Sequence, residues 1–195
     1  LGLYYKGESA PEEVFGGLPQ VAVVGTRSVT GYGRDWCQRI VEAMSRSTIK
    51  PLVVSGLALG VDVTAHRTAL EAGIPTVAVM ATGIDELYPS RNRDVGERIA
   101  GTSGCALVTD YPPGVDAAKL NFIRRNSTIA GISRPTILLE SKLNGGGMMT
   151  ARLASSYGRD VYALPGRIDD PFSQGCNLLI RENLAEQIGD LGELV

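Results

Sequence analysis

The sequence is poor in the residues that build metal sites and disulfide frameworks. Its 195 residues include three cysteines and one histidine. Cys37, Cys105 and Cys176 are odd in number and lie far apart, which argues against a disulfide framework. With His66 as the single histidine, no tetrahedral site of cysteine and histidine ligands can be drawn for zinc. We expect buried, reduced thiols, no metal and no other cofactor.

Long apolar runs, nucleotide fingerprints and net positive charge are also missing. No run approaches the roughly 20 apolar residues that span a bilayer, and the N-terminus has no signal-peptide layout. We therefore expect a cytoplasmic protein with no membrane partner. Neither G-x-G-x-x-G nor G-x-x-x-x-G-K-[ST] occurs, which disfavours an NAD enzyme and a P-loop NTPase. The formal net charge of −2 argues against coating nucleic acid through bulk positive charge, so any contact with DNA needs a local patch.

Short apolar segments alternate with longer segments of helical pattern. Nearly continuous runs of Val, Ile, Leu and Ala predict strands covered on both faces. The predicted strands are Val21–Gly25, Leu52–Ser55, Thr76–Met80, Ala106–Thr109, Thr136–Glu140 and Val161–Leu164. The predicted helices are Gly33–Ser47, Gly60–Ala72, Arg91–Ala100, Arg125–Gly131 and Thr150–Tyr157. This alternation predicts a single-domain α/β fold, an extended Rossmann-like, doubly wound and mostly parallel sheet with right-handed crossovers.

The two ends of the chain differ in pattern from this core. We expect residues 1–20 to form an edge hairpin or a lead-in packed on the core, which itself covers residues 21–182. We expect residues 183–195 to form a helical tail without a cap. We interpret this tail as a truncation point at which a further domain would follow.

Glycine, with 24 residues, is abundant and often follows a predicted strand. Ligands of open parallel sheets bind outside the carboxyl ends of the strands. Gly25, Thr26 and Arg27 follow one strand, and a glycine run precedes a helix after another. That run, Gly145, Gly146 and Gly147, predicts an anion site because a helix N-terminus offers free N–H groups. A flexible turn and a surface arginine are the alternative interpretations.

A second cluster combines cations with an aromatic ring. Lys119, Arg124 and Arg125 offer charge for phosphates, and Phe122 offers a flat face for a base. Arginine also grips phosphate in a fork. This combination indicates binding of single-stranded nucleic acid. A helix start with surface arginines and a core phenylalanine is the alternative.

Candidates for catalysis are few. His66 has neither a G-x-S-x-G serine nor a papain-like cysteine to serve, so we expect a hydrogen-bonded packing residue. Asp62, early in a predicted helix, suits the helix dipole and could hold a loop. Asp85, Asp110 and Glu140 lie at strand ends and leave a paired acid–base site open, with Glu140 as the first candidate.

Taken in order, these segments resemble the DNA-processing protein A family, also called DprA or Smf. The motifs that carry the resemblance are Val23 to Arg27, Ser55 to Asp62 with Ala65-His66, Gly83-Ile84-Asp85, Tyr88-Pro89 with Asn92, Asn121-Phe122 through Asn126, Ile129 to Ser133, Thr150-Ala151, Gly158-Arg159, Ala163 to Gly166, and Gly175 to Ile180. They cover residues 1–182 approximately, and their order is more specific than any single motif.

The resemblance implies a non-catalytic protein that binds and protects single-stranded DNA, forms a homodimer, and helps load the RecA recombinase during natural transformation. Carried over by position, Arg27 and Arg125 grip phosphates, Phe122 and Asn126 lie beside them, and Lys119 adds a basic group. The floor of the site and its backbone donors are expected from Ser55, Gly56 and the run Gly145 to Gly147.

The sequence departs from the family pattern at two places. Gly146 to Met149 stand where many relatives have Ser-Gly, and Glu182 to Ala185 replace a usual Gly-Ala. The flanking domains common in the family are absent, so this is either a core segment or a minimal member. An enzyme of the LOG phosphoribohydrolase type is disfavoured, because no Glu follows Gly147 at helical spacing. A small-nucleotide sensor that uses the same crevice stays open.

Overall fold

The computed structural model describes residues 2–194, and within this range one sheet carries the fold. Its strands, in chain order, are β1 (Tyr4–Lys6), β2 (Gln20–Val24), β3 (Leu52–Ser55), β4 (Thr76–Met80), β5 (Ala106–Thr109), β6 (Thr136–Leu138), β7 (Val161–Ala163) and β8 (Glu186–Gln187). The helices are α1 (Pro11–Phe15), α2 (Gly31–Ser45), α3 (Val61–Glu71), α4 (Arg93–Ala100), α5 (Lys119–Ile132), α6 (Gly146–Ser156) and α7 (Gln174–Arg181). Short 3₁₀ helices span Ser90–Asn92 and Leu191–Leu194.

The strand order is β1-β5-β4-β3-β2-β6-β7-β8. Only β1 runs antiparallel, pairing with β5, and each of the other neighbouring pairs is parallel. From β2 the chain adds β3, β4 and β5 on one side, then returns to add β6, β7 and β8 on the other. The order therefore reverses between β2 and β6, and the loops that follow these two strands open a crevice at that switch point.

The core lies on both faces of the sheet, as a doubly wound fold requires. Along β2, Ala22 and Val24 contribute to a cluster that includes residues of α5, α6 and α7. Val21 and Val23, which point to the other face, belong to a cluster that includes residues of α2 and α3. Strand positions alternate between two buried faces, which is why the strands are nearly continuous in apolar residues.

The predicted α/β class, the doubly wound topology and the six predicted strands are confirmed, with strand ends that differ by at most two residues. Helix α5 was predicted to start at Arg125 but begins at Lys119, six residues earlier. The buried residues of α5 begin at Arg125. The turns before it lie outside the core and therefore lack the repeating apolar positions by which a buried helix is recognised in a sequence. None of the helices in the described range is long and apolar enough to cross a bilayer.

The two ends of the chain add strands to the same sheet. Residues 4–6 pair with β5, so the start of the chain is a packed lead-in and not a hairpin. The helical prediction for the tail is wrong at residues 186–187, which form β8 beside β7. Polar, exposed Glu186 and Gln187 give no apolar alternation, and only the pairing with β7 makes this segment a strand.

Candidate functional site: a cationic crevice at the switch point

A crevice of about 650 Å³ lies outside the carboxyl ends of β2 and β6. Ten of the thirteen residues predicted for the site line it. They are Gly25, Thr26, Arg27, Lys119, Phe122, Arg125, Asn126, Gly145, Gly146 and Gly147. Segments that are far apart in the sequence therefore share one surface, because parallel strands deliver their following loops to the same edge of the sheet.

The floor of the crevice is held together by backbone contacts between loops. The N–H of Thr26 donates to the carbonyl oxygen of Glu140 at 2.6 Å, and the N–H of Val61 donates to Thr26 O at 3.1 Å. Gly25 and Gly147 pack so closely that a Cβ on Gly147 would lie 2.9 Å from the Cα of Gly25. The two glycines thus allow β2 to approach the start of α6, and the first N–H groups of a helix can bind an anion.

Four cations line the crevice, Arg27, Lys119, Arg125 and Lys142, against the single carboxylate of Asp62. The salt bridges found among residues 2–194 all lie elsewhere. They join Arg39 to Asp35, Arg67 to Asp94, Arg152 to Glu182, and Arg167 to Asp169. The crevice therefore has a local excess of positive charge although the whole chain carries −2, and a concave basic surface of this kind attracts anions.

Phe122 is the centre of a cation–aromatic cluster in the crevice. The guanidinium carbon of Arg27 lies 4.9 Å from the centroid of this ring, and that of Arg125 lies 5.7 Å from it. The ring of Tyr88 approaches with 5.6 Å between centroids and a tilt of 56°. The ring can attract both arginines electrostatically, so one aromatic side chain brings two guanidinium groups together in the crevice.

Arg125 is buried and part of its guanidinium is used inside the protein. Its Nη1 donates to the carbonyl oxygens of Gly56 at 2.5 Å and Val79 at 3.0 Å, and its Nε donates to Asn126 Oδ1 at 3.4 Å. Burial lowers the pKa of Arg125, while the charge of Asp62 opposes this shift and the charge of Arg27 adds to it. Arginine stays protonated at neutral pH in any case, so the crevice floor keeps a fixed positive charge.

Ser55 and Gly56 do not line this crevice, contrary to the expectation that they would form its floor. Ser55 is fully buried, and its hydroxyl donates to Val23 O at 2.6 Å. The N–H of Gly56 donates to Asp62 Oδ2 at 3.2 Å, and its carbonyl accepts from Arg125. Gly56 lines a smaller adjoining pocket, but its polar groups are already paired, so it acts by holding Arg125 and Asp62 together. Arg124 is exposed and lies outside the crevice lining.

The loop after β3 is fixed by side chains from two further elements. Leu57, with φ of 59°, donates its N–H to His66 Nε2 at 3.3 Å. Its carbonyl accepts from Asn92 Nδ2 at 2.9 Å. The other nitrogen of His66, Nδ1, lies 2.7 Å from Thr76 Oγ1. Burial lowers the pKa of His66 to about 3, with Arg125 adding to the shift. The prediction of a hydrogen-bonded packing histidine is confirmed.

Glu140, the first candidate for acid–base chemistry, is 1% exposed and caps a helix. Its carboxylate accepts from the N–H of Thr30 at 2.9 Å and from the Thr30 hydroxyl at 2.5 Å, just before α2. Asp62 is the carboxylate that does line the crevice. Burial raises the pKa of Asp62, whereas Arg125 and backbone hydrogen bonds lower it. The described residues thus bring no pair of carboxylates together in the crevice.

Sequence reasoning missed several residues that line the crevice. Lys142 and Phe172 form a second cation–aromatic contact, with 5.1 Å from Nζ to the ring centroid. Tyr88 and Met149 also line the crevice. Met149 contacts Asn126, with 3.9 Å between its sulfur and Nδ2. Lys142 follows β6 closely, and its position at a strand end was the signal that could have identified it.

Comparison with known proteins agrees with this geometry. The family model for DNA recombination-mediator protein A matches residues 1–195. The chain belongs to this family. A relative, Protein Smf of Synechocystis sp., is 39% identical over 186 residues, which cover 95% of this chain and 46% of the relative. The family resemblance inferred from the sequence is confirmed.

Two solved structures of the family share the fold. DNA processing protein A of Streptococcus pneumoniae superposes with a TM-score of 0.90 at 35% identity, covering 98% of this chain and 64% of that one. DNA processing protein A of Helicobacter pylori, a structure described for its single-stranded DNA binding mode, gives a TM-score of 0.88 at 28% identity, covering 98% and 83%. The chain spans about half the length of the curated relatives it matches.

Proposed function

We propose that this chain binds single-stranded DNA in the crevice at the switch point and does no chemistry on it. The observation that carries the proposal is the cluster in which Arg27 and Arg125 share the ring of Phe122. Single-stranded DNA is bound by cations that track its phosphates and by aromatic faces that meet its bases. The crevice supplies both in one place, with the N-terminus of α6 beside them.

The nature of the ligand follows from the charges of the crevice. Four cations, with no salt bridge to them among the described residues, suit a polyanion better than a neutral metabolite. Rings of Phe122 and Tyr88 at its edge are available to a strand whose bases are unpaired, whereas a duplex hides its base faces. The family relationship supports the same ligand, because a Helicobacter pylori member is described as binding single-stranded DNA.

We further propose that the chain protects single-stranded DNA during uptake and recombination, as a cytoplasmic homodimer that helps load the RecA recombinase. The family match and the DNA processing protein A of Streptococcus pneumoniae, 37% identical over 180 residues, support this role. It is tested by asking whether the chain accelerates RecA filament formation on protected single strands. Failure to accelerate would leave the strand-binding proposal intact and remove the loading role.

The binding proposal is tested by fluorescence anisotropy with labelled oligo-dT and a matched duplex across a salt series. We expect salt-sensitive binding that prefers the single strand. Arg27→Ala removes one phosphate contact, so the slope of log K against log salt should become shallower by about 0.7. A mononucleotide competitor distinguishes binding of single-stranded DNA from the remaining alternative, a small-nucleotide sensor. If a mononucleotide binds tightly and oligo-dT does not, the crevice belongs to a nucleotide sensor.

A further inference from the structure

The crevice has a second cation–aromatic pair on the β6 and β7 side of the switch point. Lys142 follows β6, and Phe172 lies in the loop between β7 and α7. Both side chains line the crevice, and Lys142 Nζ lies 5.1 Å from the centroid of the Phe172 ring. Arg27 lies in the loop after β2 and Phe122 lies in α5, so the crevice contains two separate cation–aromatic contacts from different segments of the chain.

The backbone of this second pair is fixed. The N–H of Ser141, just before Lys142, donates to the carbonyl oxygen of Phe172 at 2.7 Å. The N–H of Gly145 donates to Lys142 O at 3.0 Å, and Gly175 donates to Ser141 O at 2.9 Å. The loops after β6 and β7 are therefore tied to each other, and the lysine and the ring are held on one surface before any ligand arrives.

The charge of Lys142 is not neutralised by the acidic residues near Phe172. Asp169 pairs with Arg167 at 3.0 Å. Asp170 accepts from the N–H of Phe172 at 3.0 Å and from the hydroxyl of Ser173 at 2.8 Å. Lys142 itself is exposed and joins none of the salt bridges found among residues 2–194. Its ammonium group is thus available to an anion in the crevice.

We propose that Lys142 and Phe172 form a second nucleotide subsite, in which the lysine binds a phosphate and the ring contacts the base. An exposed ammonium group beside a half-buried aromatic ring can contact the phosphate and the base of the same nucleotide. With Arg27 and Phe122 at the first subsite, the crevice then holds at least two nucleotides of one strand. This inference rests on the proposed binding of single-stranded DNA.

The experiment compares four proteins on two strands of equal length, an oligo-dT and an oligonucleotide with abasic sites, by anisotropy across a salt series. The proteins are the wild type, Lys142→Ala, Phe172→Leu and Lys50→Ala. Lys50 is an exposed lysine two residues before β3, at the amino ends of the parallel strands, and controls for the loss of one positive charge. Arg27→Ala, measured in parallel, reports on the first subsite.

We expect Lys142→Ala to weaken binding to both strands and to reduce the salt slope by about 0.7, as one lost phosphate contact does. Phe172→Leu should weaken oligo-dT binding roughly 5-fold or more, the low end for one stacked base, with little effect on the abasic strand. The subsite is disproved if Lys142→Ala behaves like Lys50→Ala, or if Phe172→Leu loses the same factor on both strands, which marks a structural role. If the wild type binds no single strand, or Arg27→Ala has no effect, the proposed function itself fails.

Discussion

The guanidinium group of Arg27 lies over the ring of Phe122, 4.9 Å from its centroid. Arg125 approaches the same ring from the protein interior at 5.7 Å, and the charge of Arg27 contributes to lowering its pKa. Two like charges at one ring repel each other, and an anion between them relieves that repulsion. The exposed and the buried arginine should therefore respond differently to mutation.

Arg125→Ala should destabilise the protein, and Arg27→Ala should not. Removal of the buried arginine leaves the buried carbonyls of Gly56 and Val79 without this donor and takes away the positive charge that lowers the pKa of Asp62. Leaving a buried acceptor unsatisfied costs about 1–3 kcal/mol in unfolding free energy. Arg27 is exposed, and its loss should cost about 1 kcal/mol or less. Urea unfolding measures the unfolding free energy of each variant, and an equal loss in Arg125→Ala and Arg27→Ala would contradict this prediction.

Phe122→Leu should weaken DNA binding while the fold is retained. The substitution keeps an apolar side chain of similar volume but removes the ring that orients Arg27 and Arg125. A cation–π contact contributes about 0.5–2 kcal/mol, so a loss of several-fold in affinity for oligo-dT is expected. Phe122→Tyr, which preserves the ring, is the matched control. Equal affinity of the leucine and tyrosine variants would show that the ring is unnecessary.

Gly147→Ala should destabilise the protein, whereas Gly146→Ala should not. A Cβ at Gly147 would lie 2.8 Å from Leu138 Cδ1 and 2.9 Å from Gly25 Cα, whereas a Cβ at Gly146 meets nothing within 4 Å. Overpacking of this kind costs about 1–3 kcal/mol. Alanine in a helix is favoured over glycine by up to about 1 kcal/mol, so Gly146→Ala should be neutral or stabilising. Thermal unfolding of the two variants decides between these outcomes.

His66 should make the protein less stable as the pH falls below neutrality. Its pKa is about 3 in the folded state against 6.5 for the free side chain, so the unfolded state takes up a proton first. The stabilisation is complete above pH 6.5 and is lost progressively as the pH falls toward 3. Between pH 7 and pH 5 this group alone lowers the unfolding free energy by about 2 kcal/mol.

The control for this prediction is His66→Asn. Asparagine keeps a neutral amide that can donate toward Thr76 Oγ1 in place of Nδ1, and it does not titrate. Urea unfolding at pH 7 and pH 5 should give the variant a smaller loss than the wild type. Asp62 is present in both proteins, so its own titration cancels in the comparison. The same pH dependence in both would remove His66 as the cause.

Parts of the site could be predicted because strand ends are visible in the sequence. Arg27 follows an apolar strand and Gly145 to Gly147 precede a helix, and both lie in the crevice. Ser55 also lies at a strand end, but it is fully buried and its hydroxyl donates to the carbonyl oxygen of Val23. Lys142 and Phe172 come from separate loops, and no sequence pattern shows that a lysine will lie over a particular ring.

By itself the sequence determined the α/β class, the strands and the edge of the sheet at which the crevice lies, because apolar runs and glycines reflect local burial and local backbone conformation. The tertiary structure alone decided which charges remain available. Arg125 and Arg27 look alike in sequence, yet one is bound to the carbonyls of Gly56 and Val79 and the other is exposed. Burial and pairing depend on chain segments far apart in sequence, and only folding brings those segments together.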